Sequence, residues 1–210
     1  GYDVRIIDEA AKEVAAGNEG IIGIKLPLPP GCLPTLWQKD DAYISSYLSD
    51  YEGYYATGDG GYKDEDGYIY IMGRVDDIIN VAGHRLSTGG MEEVVAQHTD
   101  VAECAVIGVE DKLKGQVPVG FVVIKAGAGK ANDVVSKEVV GMVRSEIGPL
   151  ACLKDVTVVA RLPKTRSGKI LRATMRKIAD GRQFKVPSTI EDPAVLDEIG
   201  DALKGIGYPR

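Results

Sequence analysis

The hydrophobic pattern changes period near Asp76, and the change divides what the two parts of the chain can become. Before it, β-branched residues come in short runs. Val4-Arg5-Ile6-Ile7 and Ile21-Ile22-Gly23-Ile24, with a Gly17-Asn18-Glu19-Gly20 turn between them, predict a hairpin. Pro27, Pro29, Pro30, Gly31 and Pro34 enforce an irregular loop, because proline lacks the N–H that a helix or an inner strand needs. Residues 40–48 suit a short helix, and residues 61–63 with 68–72 suit a second hairpin around Asp64-Glu65-Asp66-Gly67. That acidic triplet reads as turn chemistry and not as paired catalytic carboxylates. The stretch up to about Asp76 is therefore a small antiparallel β unit.

Beyond Asp76 helical and strand periods alternate. Met91, Val94, Val95 and His98 share one helical face, whereas 104–109 and 117–124 are continuous apolar runs of the kind that strands buried on both faces show. Val135, Val139, Met142, Val143 and Ile147 make another helical stripe, and 156–159 another strand. Leu171, Met175 and Ile178 line one side of a helix whose other side carries Arg172, Arg176 and Lys177. Asp192-Pro193 supplies a cap and a first-turn proline for a last helix bearing Val195, Leu196, Ile199 and Leu203. Met91, Met142 and Met175 are expected in the core. The fold class implied is α+β: a β unit over 1–76, then an α/β domain over 77–210 with a short central sheet flanked by helices.

Charge is distributed unevenly. Residues 161–186 hold nine Lys/Arg against the single acid Asp180, a local +8, while the other 16 basic and 30 acidic residues give −14. Such a stripe on an acidic body suits a local anionic ligand. Nucleic acid is not expected, since Phe184 is the one aromatic in the stripe and no stacking platform accompanies it. No apolar run approaches the ~20 residues of a membrane span. The three cysteines, Cys32, Cys104 and Cys152, are far apart and form no Cys-x-x-Cys pattern, which suits a reducing intracellular compartment, cytoplasm or mitochondrial matrix. With His84 and His98 as the only histidines, no metal site is expected.

The residues that carry chemistry begin with Leu162-Pro163-Lys164-Thr165-Arg166-Ser167-Gly168-Lys169-Ile170. Gly168 opens backbone conformations closed to other residues, so the loop can present Lys169 to a ligand, and a compact ammonium suits an oxygen anion. A P-loop would need Gly-x-x-x-x-Gly-Lys-Ser/Thr, and the match fails at Pro163 and at Ile170. Upstream stand Tyr54-Tyr55-Ala56-Thr57-Gly58-Asp59, then Asp66-Gly67-Tyr68-Ile69-Tyr70-Ile71-Met72-Gly73-Arg74-Val75-Asp76-Asp77, then Asn80-Val81-Ala82-Gly83-His84-Arg85-Leu86. In this order and spacing, from Tyr54 onward, these blocks resemble the C-terminal third of the AMP-forming acyl-CoA synthetases, in the adenylate-forming superfamily. Gly83-His84-Arg85-Leu86-Ser87-Thr88-Gly89 with Met91-Glu92-Glu93, and Leu113-Lys114-Gly115-Gln116-Val117-Pro118, resemble the propionyl-CoA branch more than the acetyl branch.

The resemblance implies a ligase that activates a short-chain carboxylate with ATP and Mg2+ to an acyl-adenylate, then passes the acyl group to coenzyme A. It makes residues 1–76 the last β subdomain of a large adenylation domain and 77–210 a mobile C-terminal domain hinged at Asp76. It assigns Lys169 to catalysis of adenylation, and Asp59, Arg74 and Arg85 to the nucleotide. Ala82 and Gly83 fall to the pantetheine arm and Arg144 to the phosphates of coenzyme A. By themselves Asp59 reads as a turn aspartate, Arg74 as a solvated strand-end cation and Arg144 as a helix-surface arginine. The implied partners are the N-terminal remainder of the same enzyme and enzymes that acylate or deacylate Lys169, with no nucleic acid and no membrane. The chain opens Gly-Tyr-Asp, and the phosphate loop and acyl pocket of such an enzyme would precede residue 1, so this stretch is expected to catalyse nothing unaided. The alternatives are another adenylate-forming ligase, a medium-chain acyl-CoA synthetase or a peptide-synthetase adenylation domain, or a noncatalytic nucleotide-binding module.

Overall fold

The computed structural model describes residues 1–209; the side chain of Asp76 and all of Arg210 lie outside that description. The chain forms two compact units, Gly1–Asp76 and Asp77–Arg210. The first is a four-stranded antiparallel meander of β1 (Val4–Ile7), β2 (Glu19–Lys25), β3 (Tyr54–Lys63) and β4 (Ile69–Arg74), hydrogen-bonded in chain order. Ile7, Ile21 and Tyr54 close its core, and α1 (Asp40–Tyr47) follows the proline-rich loop. Both expected strand pairs are present, but residues 8–18 link β1 to β2 and Glu19 and Gly20 of the expected turn open β2, and β3 is much longer than the sequence suggests. Thr57-Gly58-Asp59 lies inside that strand, so Asp59 is a strand residue and not the turn aspartate that its neighbours imply. Three glycines and an aspartate hide the strand from propensity, but tertiary pairing with β2 and β4 decides it.

The second unit is a five-stranded sheet with helices on both faces. Its strands are β5 (Ile78–Val81), β6 (His84–Ser87), β7 (Val101–Asp111), β8 (Gly115–Ile124) and β9 (Asp155–Val158). β7 and β8 form a ten-rung antiparallel ladder from Val101↔Ile124 to Asp111↔Gly115. The other edge of β8 is shared, by β5 at Gly115 and by β9, in parallel, along Val119–Val122. Helices α2 (Thr88–Ala96), α3 (Asn132–Glu146), α4 (Arg172–Ala179) and α5 (Val195–Gly205) complete the unit.

The apolar run in β7 sorts by alternation. Val106 joins Val122 in a core with Met91 and Val95 of α2 and Val135, Val139 and Val143 of α3. Ala105, Ile107 and Val109 point the other way, with Val119 and Phe121, into a core with Met175 of α4 and Ile199 and Leu203 of α5. A strand buried on both faces needs apolar residues at successive positions, as 104–109 provide. Met91 and Met175 are fully buried and Met142 packs partly against the first core, as expected of them. Ile147 is corrected: it caps the end of α3 and is exposed, so the stripe stops at Val143. The β5–β6 hairpin was not anticipated, because its four-residue strands are too short to carry a period. The last helix is present but starts later than expected: Ala194 is its N-cap, without a side-chain cap, and Asp192 and Pro193 lie in the preceding turn, where the Asp192 carboxylate accepts from the Ala194 N–H at 3.0 Å.

Candidate active site

In the first unit, Asp59 and Arg74 are cross-strand partners of β3 and β4, and the guanidinium lies 3.5 Å from the carboxylate. Arg74 also donates to the Thr57 carbonyl at 3.1 Å. Gly58 makes this possible: its φ is +77°, and a methyl built there would come within 2.5–2.8 Å of the guanidinium. Both side chains stay substantially exposed, leaving the carboxylate free to accept from two vicinal hydroxyls. A 460 Å³ pocket lined by Tyr47, Tyr51, Ala56, Thr57, Gly58 and Arg74 opens beside them.

In the second unit, Ala82 and Gly83 form the two-residue turn between β5 and β6, with φ of +50° and +88°. Both signs are those of a type I′ hairpin turn, which favours Asn or Gly at its first position. Ala82 holds that conformation because its N–H donates to the Lys114 carbonyl at 2.8 Å, and Asn80 accepts from the Gly83 N–H at 3.0 Å. Nothing lies within 4 Å of a side chain built on Gly83, so within this chain glycine is required by φ and not by crowding. Arg85 sits half-buried in β6 opposite Asn80.

Lys114 connects this turn to a 330 Å³ pocket. Arg144, in the last turn of α3, lines it together with Lys114, Lys154, Gly148, Pro149 and Cys152. The Lys114 ammonium lies 3.2 Å from the Cys152 thiol. Three cations around one cavity make an anion site stronger than Arg144 alone would give. Lys114 and Lys154 were missed by sequence reasoning, since both lie outside the basic run that draws attention; the only signal was Lys114 within the Leu113–Pro118 block.

The loop of Lys169 is tightly closed. The Thr165 N–H donates to the Lys169 carbonyl and the Gly168 N–H to the Thr165 carbonyl, both at 2.8 Å, and the Lys169 N–H donates to Thr165 Oγ1 at 3.1 Å. Leu171 N–H to the Pro163 carbonyl, at 2.9 Å, closes the base, and Gly168 has φ +84°. Four of the nine cations of the basic stripe around it are already held by acids, so the open anion surface is smaller than charge counting suggests. Arg161 is held by Asp192 at 2.6 Å and Glu198 at 2.7 Å, Lys164 by Glu103 at 2.7 Å, Arg172 by Glu92 at 2.7 Å, and Arg182 by Glu110. Lys169 is exposed and, among the described residues, its ammonium has no partner. Burial pulls Arg172 down, yet the bonds to Glu92 outweigh it and leave its pKa raised.

Asp59 and Arg74 are thus brought together in one unit, and Ala82, Gly83 and Arg85 in the other, where the Lys114 carbonyl links the turn to the pocket of Arg144. Lys169 stands on a separate loop of that second unit. The hinge expectation falls on Asp76, whose side chain lies outside the described residues, at the boundary of the two units. Among the described residues, no group of three His, Cys, Asp or Glu could hold a metal ion, and no helix is long and apolar enough to cross a membrane.

Residues 90–169 match the family described as AMP-binding enzyme C-terminal domain. Over 204 residues, 97% of the chain, the sequence is 60% identical to an uncharacterized protein of Pseudomonas aeruginosa. Over 204 residues it is also 47% identical to acyl-CoA synthetase short-chain family member 3, mitochondrial, of Mus musculus. Those alignments take in 32% and 30% of the two proteins, so the chain spans about a third of the length of the curated relatives it matches. Among solved structures, ATP-bound MatB from Rhodopseudomonas palustris is similar with a TM-score of 0.66 and 28% identity, over 84% of this chain and 34% of that one.

Proposed function

We propose, on the premise that residues 90–169 are an AMP-binding enzyme C-terminal domain, that the chain is the C-terminal part of an AMP-forming short-chain acyl-CoA synthetase acting on propionate or acetate. The observation that supports this reading is the state of Lys169: an exposed ammonium with no ion pair among the described residues, on a closed loop whose flanking cations Lys164 and Arg172 are already held by Glu103 and Glu92. An ion pair would have to be broken before those neighbours could serve a substrate. Lys169 is ready as it stands.

In the adenylation half-reaction, Asp59 accepts from the ribose hydroxyls and Arg74 steadies that carboxylate and donates to the sugar. Lys169 bridges the carboxylate substrate and the α-phosphate, where negative charge accumulates as the acid attacks; one placed donor of this kind contributes ~3 to 4 kcal/mol. Arg85 contacts the ATP phosphates, and Mg2+ arrives with them. In the thioester half-reaction, the pantetheine arm of coenzyme A passes the Ala82–Gly83 turn, and Arg144, joined by Lys114 and Lys154, attracts its phosphates. The exchange between the two arrangements is assigned to a small backbone change at Asp76. Residues 1–76 then belong to the end of the large adenylation domain, and 77–210 to the mobile domain. Acylation of Lys169 removes its charge, and so would switch off the first half-reaction alone.

The test is acid-dependent exchange of labelled pyrophosphate into ATP by the full-length enzyme, with acetate, propionate and butyrate. Exchange greatest with propionate, abolished in Lys169→Ala while supplied acyl-adenylate is still converted to thioester, is the expected result. Equal loss of both halves would remove Lys169 from the proposed role, and no exchange with any acid would remove the function.

A further inference from the structure

The two acids that grip the cations flanking Lys169 are not equivalent. Glu103 meets Lys164 at the surface. Glu92, on α2, is mostly covered and spends both oxygens: Oε1 accepts from Arg172 Nε at 2.9 Å and from the Val106 N–H at 2.8 Å, and Oε2 accepts from Arg172 Nη2 at 2.7 Å. Among the described residues β7 is an edge strand paired with β8 alone, so the buried Val106 is supplied with an acceptor on its open side by this carboxylate. Arg172 is the first residue of α4, which has no side-chain cap and no acid in its first turn. A cation there opposes the helix dipole, and Glu92 provides the missing negative charge. One carboxylate therefore ties α2, β7 and the start of α4 together.

Arg172 lies three residues after Lys169, and the Leu171 N–H bond to Pro163 O closes the loop immediately before it. Any shift of the first turn of α4 is handed to the lysine loop. We propose that Glu92, acting through its two-pronged bond to Arg172, is a positioning residue for Lys169, so that it sets the rate of adenylation without touching substrate. This inference rests on the adenylation reading above. Two parallel bonds to a planar guanidinium fix orientation as well as distance, which a lysine ammonium at position 172 cannot reproduce.

The experiment uses the full-length enzyme and three variants: Glu92→Gln, Arg172→Lys and, for comparison, Glu103→Gln. Pyrophosphate exchange is expected to fall roughly 100-fold in the first two, the loss that follows from about 1 Å of misplacement. Conversion of supplied acyl-adenylate and coenzyme A to thioester should stay within about twofold in all three, and Glu103→Gln should keep both activities, as neutral surface changes do. Unchanged exchange in Glu92→Gln overturns the inference. So does a parallel loss of both half-reactions, which marks general structural support, and so does an equal loss in Glu103→Gln. Wild-type enzyme that exchanges with no acid fails the functional reading itself, whereas active wild type beside an unaffected Glu92→Gln fails only the positioning role.

Discussion

Gly58 and Gly83 have similar backbone angles, φ +77° and +88°, but different surroundings, and replacing each by alanine separates two effects. An L-residue in the left-handed region costs about 1 to 2 kcal/mol, and the stiffer unfolded chain returns about 0.4 to 1, so each variant should lose about 1 kcal/mol. Gly83→Ala meets nothing within 4 Å and should cost no more than that. In Gly58→Ala the new methyl must displace the Arg74 guanidinium. That group is half exposed and can swing away, giving up its 3.5 Å pairing with Asp59, and exposed pairs of this kind are worth about 0 to 1 kcal/mol. Its unfolding loss should therefore remain below about 2 kcal/mol, read from urea transitions followed by circular dichroism. The nucleotide should feel the change far more. Losing one charged hydrogen bond to the ribose, about 1.5 to 3 kcal/mol, raises the KM for ATP in pyrophosphate exchange by roughly 10- to 100-fold, while Gly83→Ala leaves it unchanged. A KM for ATP unaltered in Gly58→Ala would refute the placing of Arg74 on the nucleotide. A loss above about 3 kcal/mol would show instead that Arg74 is locked and cannot move aside.

Three other measurements test the remaining assignments. Arg144→Ala and Lys154→Ala should each raise the KM for coenzyme A about 3- to 30-fold, more so at low salt, and leave exchange untouched, since neither lines the nucleotide side. Burial, with Glu92 nearby, pushes the Cys104 thiol up to about 11, so at pH 8 only about a thousandth is thiolate and alkylation followed by mass spectrometry should find it unlabelled. The folded state holds that proton longer than the unfolded chain does, so this group's contribution to stability falls as pH rises from about 9 to 11; a flat urea midpoint across that window would contradict it.

The second unit was readable because its strands are buried on both faces. Continuous apolar runs at 104–109 and 117–124 mark β7 and β8, 156–159 marks β9, and apolar stripes mark all four helices, whereas the short β5 and β6 carry no such signal. Legibility failed where side chains meet across distance. Nothing in the local pattern shows that Glu92 reaches Arg172, 80 positions away, or that Lys114 and Lys154 join Arg144 around one cavity. Counting charge along the chain made the stripe of 161–186 look open, because the acids that neutralise it come from β7, α2 and the final segment. Asp59 looked like a turn residue for the same reason: its partner strand begins ten residues later, and Arg74 comes five beyond that. Motif blocks located Lys169, Asp59 and Arg74, but their present pairing states came only from the three-dimensional arrangement.

The β5–β6 hairpin meets the sheet through one rung, Val81↔Gly115, with the Asn80 N–H donating to the Gln116 side chain beside it. What seats it is Ile79, pressed so close to Gly108 of β7 that even a methyl there would stand 3.1 Å from its branches. A flap fastened by one rung, two hydrogen bonds (Asn80 to Gln116 and Ala82 to Lys114) and the buried Ile79 and Val81 behaves as a short leaf spring. Its ladder to β8 is a single rung, and the packing that seats its root includes the Ile79–Gly108 contact, remote from the turn. Gly108→Ala would stiffen or prop the spring and change how readily a threading chain passes its tip, although nothing at the tip itself had been altered.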